Sequence, residues 1–156
     1  MKDDSTPRIL VGVDGSGSSI VALQGATKIA SAMNAHIRAV IAWEYPAMFY
    51  PVSDWSPEDD AKSALDAVLR QVFGTQSPTN VDAEVRRGHA SKVLIDESKN
   101  ADLLVVGSRG HGGFAGLLLG SVSAACAQHS HCPVLITHRD DASSITSEPS
   151  AMQRTD

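Results

Sequence analysis

A glycine-rich stretch in the second half of the chain has the residue types and the spacing of an anion-binding loop. It runs from Gly107 to Ser121, follows an apolar segment at 102–107 and leads into a helix-like segment at 121–128. Glycines let a backbone turn tightly and come close to a ligand. A helix start presents unpaired N–H groups and a partial positive charge. The arrangement therefore predicts an anion site, most commonly one for a nucleotide phosphate.

The spacing within this stretch is Gly-x-x-Gly, nine residues, and then Gly-Ser. A second motif lies near the start of the chain, where the apolar segment 8–13 is followed by Asp14, Gly15 and Ser16. With these two motifs the sequence resembles the ATP-binding branch of the universal stress protein family, from about residue 8 to residue 138. The resemblance implies a bound adenine nucleotide. ATP is the expected ligand, AMP, ADP and cyclic AMP stay open as alternatives, and Mg²⁺ is a further option alongside ATP.

The phosphate part of the predicted site comprises the loop glycines and the first turn of the helix that follows. Its members are Gly107, Gly110, Gly120, Ser121, Val122 and Ser123. The glycines permit close approach, and the hydroxyls of Ser121 and Ser123 bind phosphate oxygens together with the early helix N–H groups. Arg109 and His111 add positive charge to the phosphates or point to solvent. The alternative interpretation is a surface loop closed by a serine cap.

The ribose and the adenine are assigned to the ends of strands. Asp14 ends the first strand, where a carboxylate can accept hydrogen bonds from ribose hydroxyls. The alternative role for Asp14 is to cap the helix that follows. The family resemblance implies that the backbone of Ile41 meets the adenine and that Val13 and Val106 help to wall its pocket. The alternative for these three apolar residues is plain core.

Three other kinds of site are disfavoured by the sequence. Neither Gly-Lys-Ser nor Gly-Lys-Thr occurs, so the loop is not a Walker loop. The segment 110–115 fits the dinucleotide pattern Gly-x-Gly-x-x-Ala, but the acid expected at the end of the next strand is missing. Cys126, His129, His131 and Cys132 are residue types that bind zinc, but they lack a known zinc spacing. We interpret them as a core cysteine beside surface histidines.

Composition and charge narrow the class of protein. A chain of 156 residues with 42% hydrophobic and 20% charged residues is typical of one soluble globular domain. The net charge of −5, without a basic run, disfavours binding to nucleic acid or to an anionic membrane surface. The sequence has no apolar run of membrane-spanning length and no secretory leader pattern. Two cysteines make no disulfide framework, which favours the cytoplasm.

Strand-like apolar segments alternate with helix-like segments, five of the first and four of the second. The alternation predicts an α/β fold, a doubly wound sandwich around a parallel sheet. The resemblance implies the strand order 3-2-1-4-5 and a Rossmann-like fold of the adenine nucleotide alpha hydrolase type. That order puts a switch point between the first and fourth strands, where ligands bind in such sheets. We expect the domain to cover residues 8–138, with flexible ends at 1–7 and 139–156.

The functional hypothesis is an ATP-binding universal stress protein that serves as a nucleotide-responsive regulator or reservoir. The resemblance implies a homodimer that pairs through the last strand, Val134–Thr137. No residue of the motifs is placed to activate water, so we expect slow hydrolysis or none. Two alternatives stay open. One is an interaction module of the same fold that uses no nucleotide, and the other is a small dinucleotide-dependent oxidoreductase.

Overall fold

Strands and helices alternate along the chain, as the apolar segments predict. The computed structural model describes residues 5–48, 54–110 and 118–139. In chain order its elements are β1 (Arg8–Val13), α1 (Gly17–Met33), β2 (His36–Trp43), α2 (Pro57–Phe73), β3 (Val81–Arg87), α3 (Ala90–Glu97), a 3-10 turn (Ser98–Asn100), β4 (Leu103–Gly107), α4 (Ser121–His129) and β5 (Val134–Thr137).

The described strands form one parallel sheet with the order β3-β2-β1-β4-β5. In this sheet β1 pairs with β2 on one side and with β4 on the other. The predicted α/β class, strand order and switch point are therefore confirmed. Because β1 and β4 are neighbours in the sheet but far apart in the chain, their following loops diverge and leave a cleft at the carboxyl edge.

Local sequence fixes the ends of the two long helices. The Ser16 hydroxyl accepts a hydrogen bond from the N–H of Ser19 at 3.2 Å, and this caps α1. The Ser56 hydroxyl caps α2 in the same way, with Pro57 at the first helical position. Gly74 ends α2 with a φ of 77°, a conformation that glycine adopts at little cost. These caps hold α1 and α2 at the lengths that the sheet requires.

Two apolar layers lie on opposite faces of the sheet. Helices α1 and α2 cover the larger layer, in which Val11 and Leu23 are fully buried. Helices α3 and α4 cover the smaller layer, to which Leu94 and Cys126 contribute. Burial raises the pKa of the Cys126 thiol to about 11, so this sulfur stays protonated and behaves as core. The sheet is thus clamped on both faces, and its strand ends are held in place.

The face of β2 and β3 beside α3 carries charged residues in place of apolar ones. The Arg38 guanidinium donates two hydrogen bonds to Glu84, at 3.0 and 2.7 Å, and lies 2.6 Å from Glu97. Arg86 contacts the same two carboxylates at 2.6 and 3.6 Å. The hydrogen bond from Arg38 holds the pKa of Glu84 below its usual value. This cluster joins α3 to the edge of the sheet.

Candidate functional site

A cleft of about 330 Å³ opens at the carboxyl edge of the sheet. Three segments form it, namely the start of α1, the loop after β4 and the two residues after β5. Its lining residues are Ser16, Gly17, Ser18, Ser108, Arg109, Gly110, Leu118, His138 and Arg139. The cleft therefore lies at the switch point that the strand order defines.

A larger cavity of about 530 Å³ lies at the opposite edge of the sheet, near the starts of β1, β2 and β3. Several of its charged lining groups are paired with one another. Arg38 is bound to Glu84 and Glu97, and His36 lies 2.8 Å from Asp82. Saturated ion pairs offer little to a charged ligand, so size does not make this cavity the better candidate.

Asp14 follows β1 and reaches across the switch point. Its Oδ1 atom accepts a hydrogen bond from the N–H of Ser16 at 2.9 Å. Its Oδ2 atom lies against Gly110, where any side chain would collide with it. Ser16, not Asp14, supplies the side chain that caps α1, so the capping interpretation of Asp14 is wrong. Among the described residues, none donates a hydrogen bond to Oδ2, and the contact of this oxygen with ribose stays a prediction.

The structure explains why position 107 is a glycine but does not require a glycine at position 120. A Cβ on Gly107 would lie 2.7 to 2.8 Å from the hydroxyl, Cβ and carbonyl carbon of Ser18. Gly107 therefore lets α1 approach β4, and its assignment to phosphate contact stays a prediction. A Cβ on Gly120 would make only ordinary contacts, the nearest at 3.5 Å from the carbonyl oxygen of Ser108. The fold does not require glycine at position 120.

The two ends of the loop after β4 are fastened at Ser108. Its carbonyl oxygen accepts hydrogen bonds from the Gly120 N–H at 2.7 Å and from the Ser123 hydroxyl at 2.9 Å. Ser123 is 2% exposed, and its hydroxyl also lies 3.1 Å from the carbonyl oxygen of Gly120. The hydroxyl proton of Ser123 is thus used inside the protein. The Ser123 hydroxyl therefore positions the loop, and its assignment to phosphate stays a prediction.

The first turn of α4 presents its amides beside this fastened loop. Gly120 is the N-cap residue and provides no side-chain hydrogen bond, and the first turn contains no acidic residue. The N–H groups of Ser121, Val122 and Ser123 precede the first intrahelical bond, which Ala124 donates to Gly120. The predicted helix-start donors are therefore close to Gly110. His111 lies outside the described residues.

Arginine side chains line the cleft from two directions. Arg109 is exposed, and its backbone N–H points to the Ser18 hydroxyl at 3.5 Å. Arg139 and His138 come from the segment after β5. The sequence predicts that a flexible tail begins at residue 139. Among the described acidic groups, none forms an ion pair with Arg109 or Arg139. Sequence reasoning also missed the start of α1 as a wall of the site.

The residues assigned to the adenine are buried core. Val13 and Ile41 are each 5% exposed and are register partners on β1 and β2. Val106 is 3% exposed and packs in the layer on the opposite face of the sheet. Their side chains are therefore core, and the structure does not bring all three together. The contact of the Ile41 backbone with adenine stays a prediction.

A metal centre was the alternative for the cysteine and histidine group at 126–132. Within residues 5–48, 54–110 and 118–139, no three His, Cys, Asp or Glu side chains are grouped as metal ligands. Both cysteines are free.

The model of the universal stress protein family matches residues 6–138. The chain belongs to the universal stress protein family. A universal stress protein of Mycolicibacterium smegmatis is 34% identical over 142 residues, which is 85% of this chain and 48% of that protein. One from Mycobacterium tuberculosis is 33% identical over 149 residues, 89% of this chain and 50% of that protein. The chain thus spans about half the length of these curated relatives.

Solved universal stress proteins share the fold. UspA from Lactobacillus plantarum is 26% identical with a TM-score of 0.71, covering 83% of this chain and 96% of that one. A universal stress protein solved in complex with cAMP is 31% identical with a TM-score of 0.64, covering 85% and 97%. A family protein from Arabidopsis thaliana solved with AMP bound is 23% identical with a TM-score of 0.55, covering 90% and 97%, and shows the fold. In the described part of the chain, no helix is both long enough and apolar enough to cross a membrane.

Proposed function

We propose that this universal stress protein domain binds an adenine nucleotide in the carboxyl-edge cleft and acts as a nucleotide-responsive regulator or reservoir in the cytoplasm. The observation that carries the proposal is the pairing of opposite chemistries around Gly110. The Oδ2 atom of Asp14 lies on one side of it and the start of α4 on the other. A carboxylate suits ribose hydroxyls, and helix-start amides with nearby arginine suit phosphates.

The comparison with solved relatives supports the class of ligand. The universal stress protein solved in complex with cAMP is 31% identical to this chain, over 85% of this chain and 97% of that one. Both ligand halves, an adenosine and a phosphate, correspond to the two chemistries of the cleft. ATP is the ligand that the family resemblance implies, and its phosphates would carry any Mg²⁺ with them.

Binding without rapid turnover fits the composition of the cleft. Among the described lining residues there is no aspartate, glutamate or lysine, and Asp14 is assigned to the ribose. Hydrolysis requires a group that positions or activates water. We therefore propose a ligand-sensing role, in which the nucleotide stabilises one conformation or one assembly.

A homodimer through β5 is part of the proposal. Within the described chain β5 pairs only with β4, so its outer edge is open, and Leu135 is 36% exposed there. An open apolar edge strand is a liability that pairing with a second copy removes. Sedimentation velocity of the wild type and of Leu135→Lys tests this arrangement. A wild type that is monomeric, like the variant, would contradict it.

The nucleotide proposal is tested by mass spectrometry of ligand released from the purified protein, followed by calorimetric titration. Gly120→Ala is the sharp variant, because its Cβ fits the fold but stands where phosphate must approach the α4 amides. We expect its affinity to fall while the fold stays intact, at a capping cost of about 1 kcal/mol. Gly25→Ala in α1, where the added Cβ meets only Thr137 Cγ2 at 3.6 Å, is the matched control.

Two results would contradict this function. A wild type that neither retains nor binds any adenine nucleotide would favour the nucleotide-independent interaction module. Equal nucleotide affinity in the wild type and in folded Gly120→Ala would contradict the proposal that the phosphates bind at the start of α4.

A further inference from the structure

We infer that Arg139 forms a distal phosphate subsite and makes the cleft selective for nucleoside di- and triphosphates over AMP and cyclic AMP. The inference rests on the proposed function and adds the number of phosphates, which the glycine motif leaves open. Three observations support it: Arg139 follows β5, its guanidinium lies over the start of α1, and no described carboxylate pairs with it.

The order of the strands gives the direction in which a nucleotide would lie. The adenine is assigned to β2 at Ile41, the ribose to β1 at Asp14 and the first phosphate to the loop after β4 at Gly110. Neighbouring strands are about 4.8 Å apart, so each part of the ligand advances by roughly one strand. The next strand in the sheet is β5. Arg139 follows the end of β5 by two residues and lines the same cleft.

The guanidinium of Arg139 lies over the first residue of α1. Its Nη1 atom is 2.6 Å from the point where a Cβ of Gly17 would be, so the missing side chain leaves the space that the guanidinium fills. The start of a helix carries a partial positive charge, and a cation beside it is unfavourable. The first turn of α1 has no acidic residue, and the carboxylate at this helix start, that of Asp14, is bound to the Ser16 N–H. An anion beside the guanidinium of Arg139 would offset the remaining unfavourable charge.

A second arginine, Arg109, lines the cleft together with Arg139, and neither guanidinium forms an ion pair with a described carboxylate. A single phosphate at the start of α4 would engage Arg109 and the helix amides. Further phosphates add negative charge in the direction of β5, where Arg139 with its fork of donors is placed to receive it.

The test titrates ATP, ADP, AMP and cyclic AMP into the wild type, Arg139→Gln, Arg139→Lys and the control Arg70→Gln. Arg70 is exposed in the last turn of α2, whose end lies away from the cleft. We expect Arg139→Gln to weaken ATP and ADP by about tenfold, the range of one charge-assisted hydrogen bond, and to leave AMP and cyclic AMP unchanged. Arg139→Lys should recover part of the loss.

Thermal unfolding without ligand gives an independent readout. Arg139→Gln should unfold at the same temperature as the wild type or higher, because it removes a cation from a helix start. Arg70→Gln should unfold at the same temperature or lower, because it removes a cation from a helix end, and should bind every nucleotide normally.

The outcomes separate this inference from the function on which it rests. Equal loss of ATP and AMP in Arg139→Gln, or no loss of either, would overturn the distal subsite while nucleotide binding stands. A wild type that binds no adenine nucleotide would overturn both.

Discussion

The Oδ2 atom of Asp14 lies against the Cα of Gly110, so the residue that follows β1 touches the loop that follows β4. This contact spans the switch point of the sheet. It brings the carboxylate proposed to bind the ribose next to the loop proposed to bind the phosphates. A side chain at position 110 would displace the Asp14 carboxylate and occupy space in the loop, so the proposed function requires glycine at this position.

Replacement of Asp14 tests the ribose contact. Asp14→Ala should weaken ribonucleotide binding by about tenfold to a hundredfold, because charged hydrogen bonds are lost. It also removes the acceptor for the Ser16 N–H, so some stability is lost with it. Asp14→Asn keeps an oxygen for that N–H and should unfold close to the wild type while still binding poorly. Calorimetry and thermal melts on both variants measure this, and wild-type affinity in Asp14→Asn would remove the ribose role.

Gly107 and Gly110 should respond differently to alanine. Gly107→Ala pushes a Cβ into the backbone of Ser18 and should cost about 1 to 3 kcal/mol of stability, the range for overpacking. Gly110→Ala meets the movable carboxylate of Asp14, so it should melt near the wild type and lose nucleotide affinity. Urea denaturation of the two variants checks this. Equal stability of both would mean that α1 does not depend on the gap at Gly107.

Ser121 and Ser123 should also separate. Ser123→Ala removes the buried hydroxyl that fastens the loop to the Ser108 carbonyl, with an expected cost of about 1 kcal/mol in stability. Ser121 is exposed at the first position of α4, so Ser121→Ala should leave stability unchanged and weaken binding directly. Paired melting and titration curves test the contrast. A stable Ser123→Ala with the larger loss of affinity would return Ser123 to the phosphate.

The charged cluster at α3 makes stability depend on acid. The hydrogen bond from Arg38 holds the folded-state pKa of Glu84 below its unfolded value. Its contribution is therefore complete above the unfolded pKa and is lost as the pH falls through the folded one. Glu84→Gln should cost up to about 1 kcal/mol at neutral pH, since the pair is partly exposed, and the difference should vanish in strong acid. Denaturation at several pH values measures it, and a constant difference would dissociate Glu84 from the ionic cluster.

Turnover should be slow even at saturating ATP. Phosphate release is expected far below the roughly 1–100 s⁻¹ of kinases, since no aspartate or glutamate lines the described part of the cleft to position or activate water. The melting temperature should nevertheless rise with ATP concentration, because ligand binding to the folded state stabilises it. Rapid phosphate release that disappears in Gly120→Ala would make this domain an ATPase.

The sequence by itself determined the features that depend on neighbours along the chain. The alternation of apolar segments is local and was predicted from residue type and spacing, whereas the cap of α1, considered for Asp14, is supplied by Ser16. The glycine motif singled out a loop that lies at the switch point of the sheet. The strand order came from the family resemblance, because spacing does not say which strands pair.

Only the tertiary structure decided what distant residues do to one another. Gly107 is glycine because Ser18 of another element packs on it, and the Ser123 hydroxyl is occupied because Ser108 lies beneath it. The sequence predicts that Arg139 begins a polar tail, but in the structure Arg139 follows the end of β5 by two residues and lines the cleft. Parallel strands bring their carboxyl ends together whatever their separation in sequence, and this convergence carries no mark in the local residue pattern.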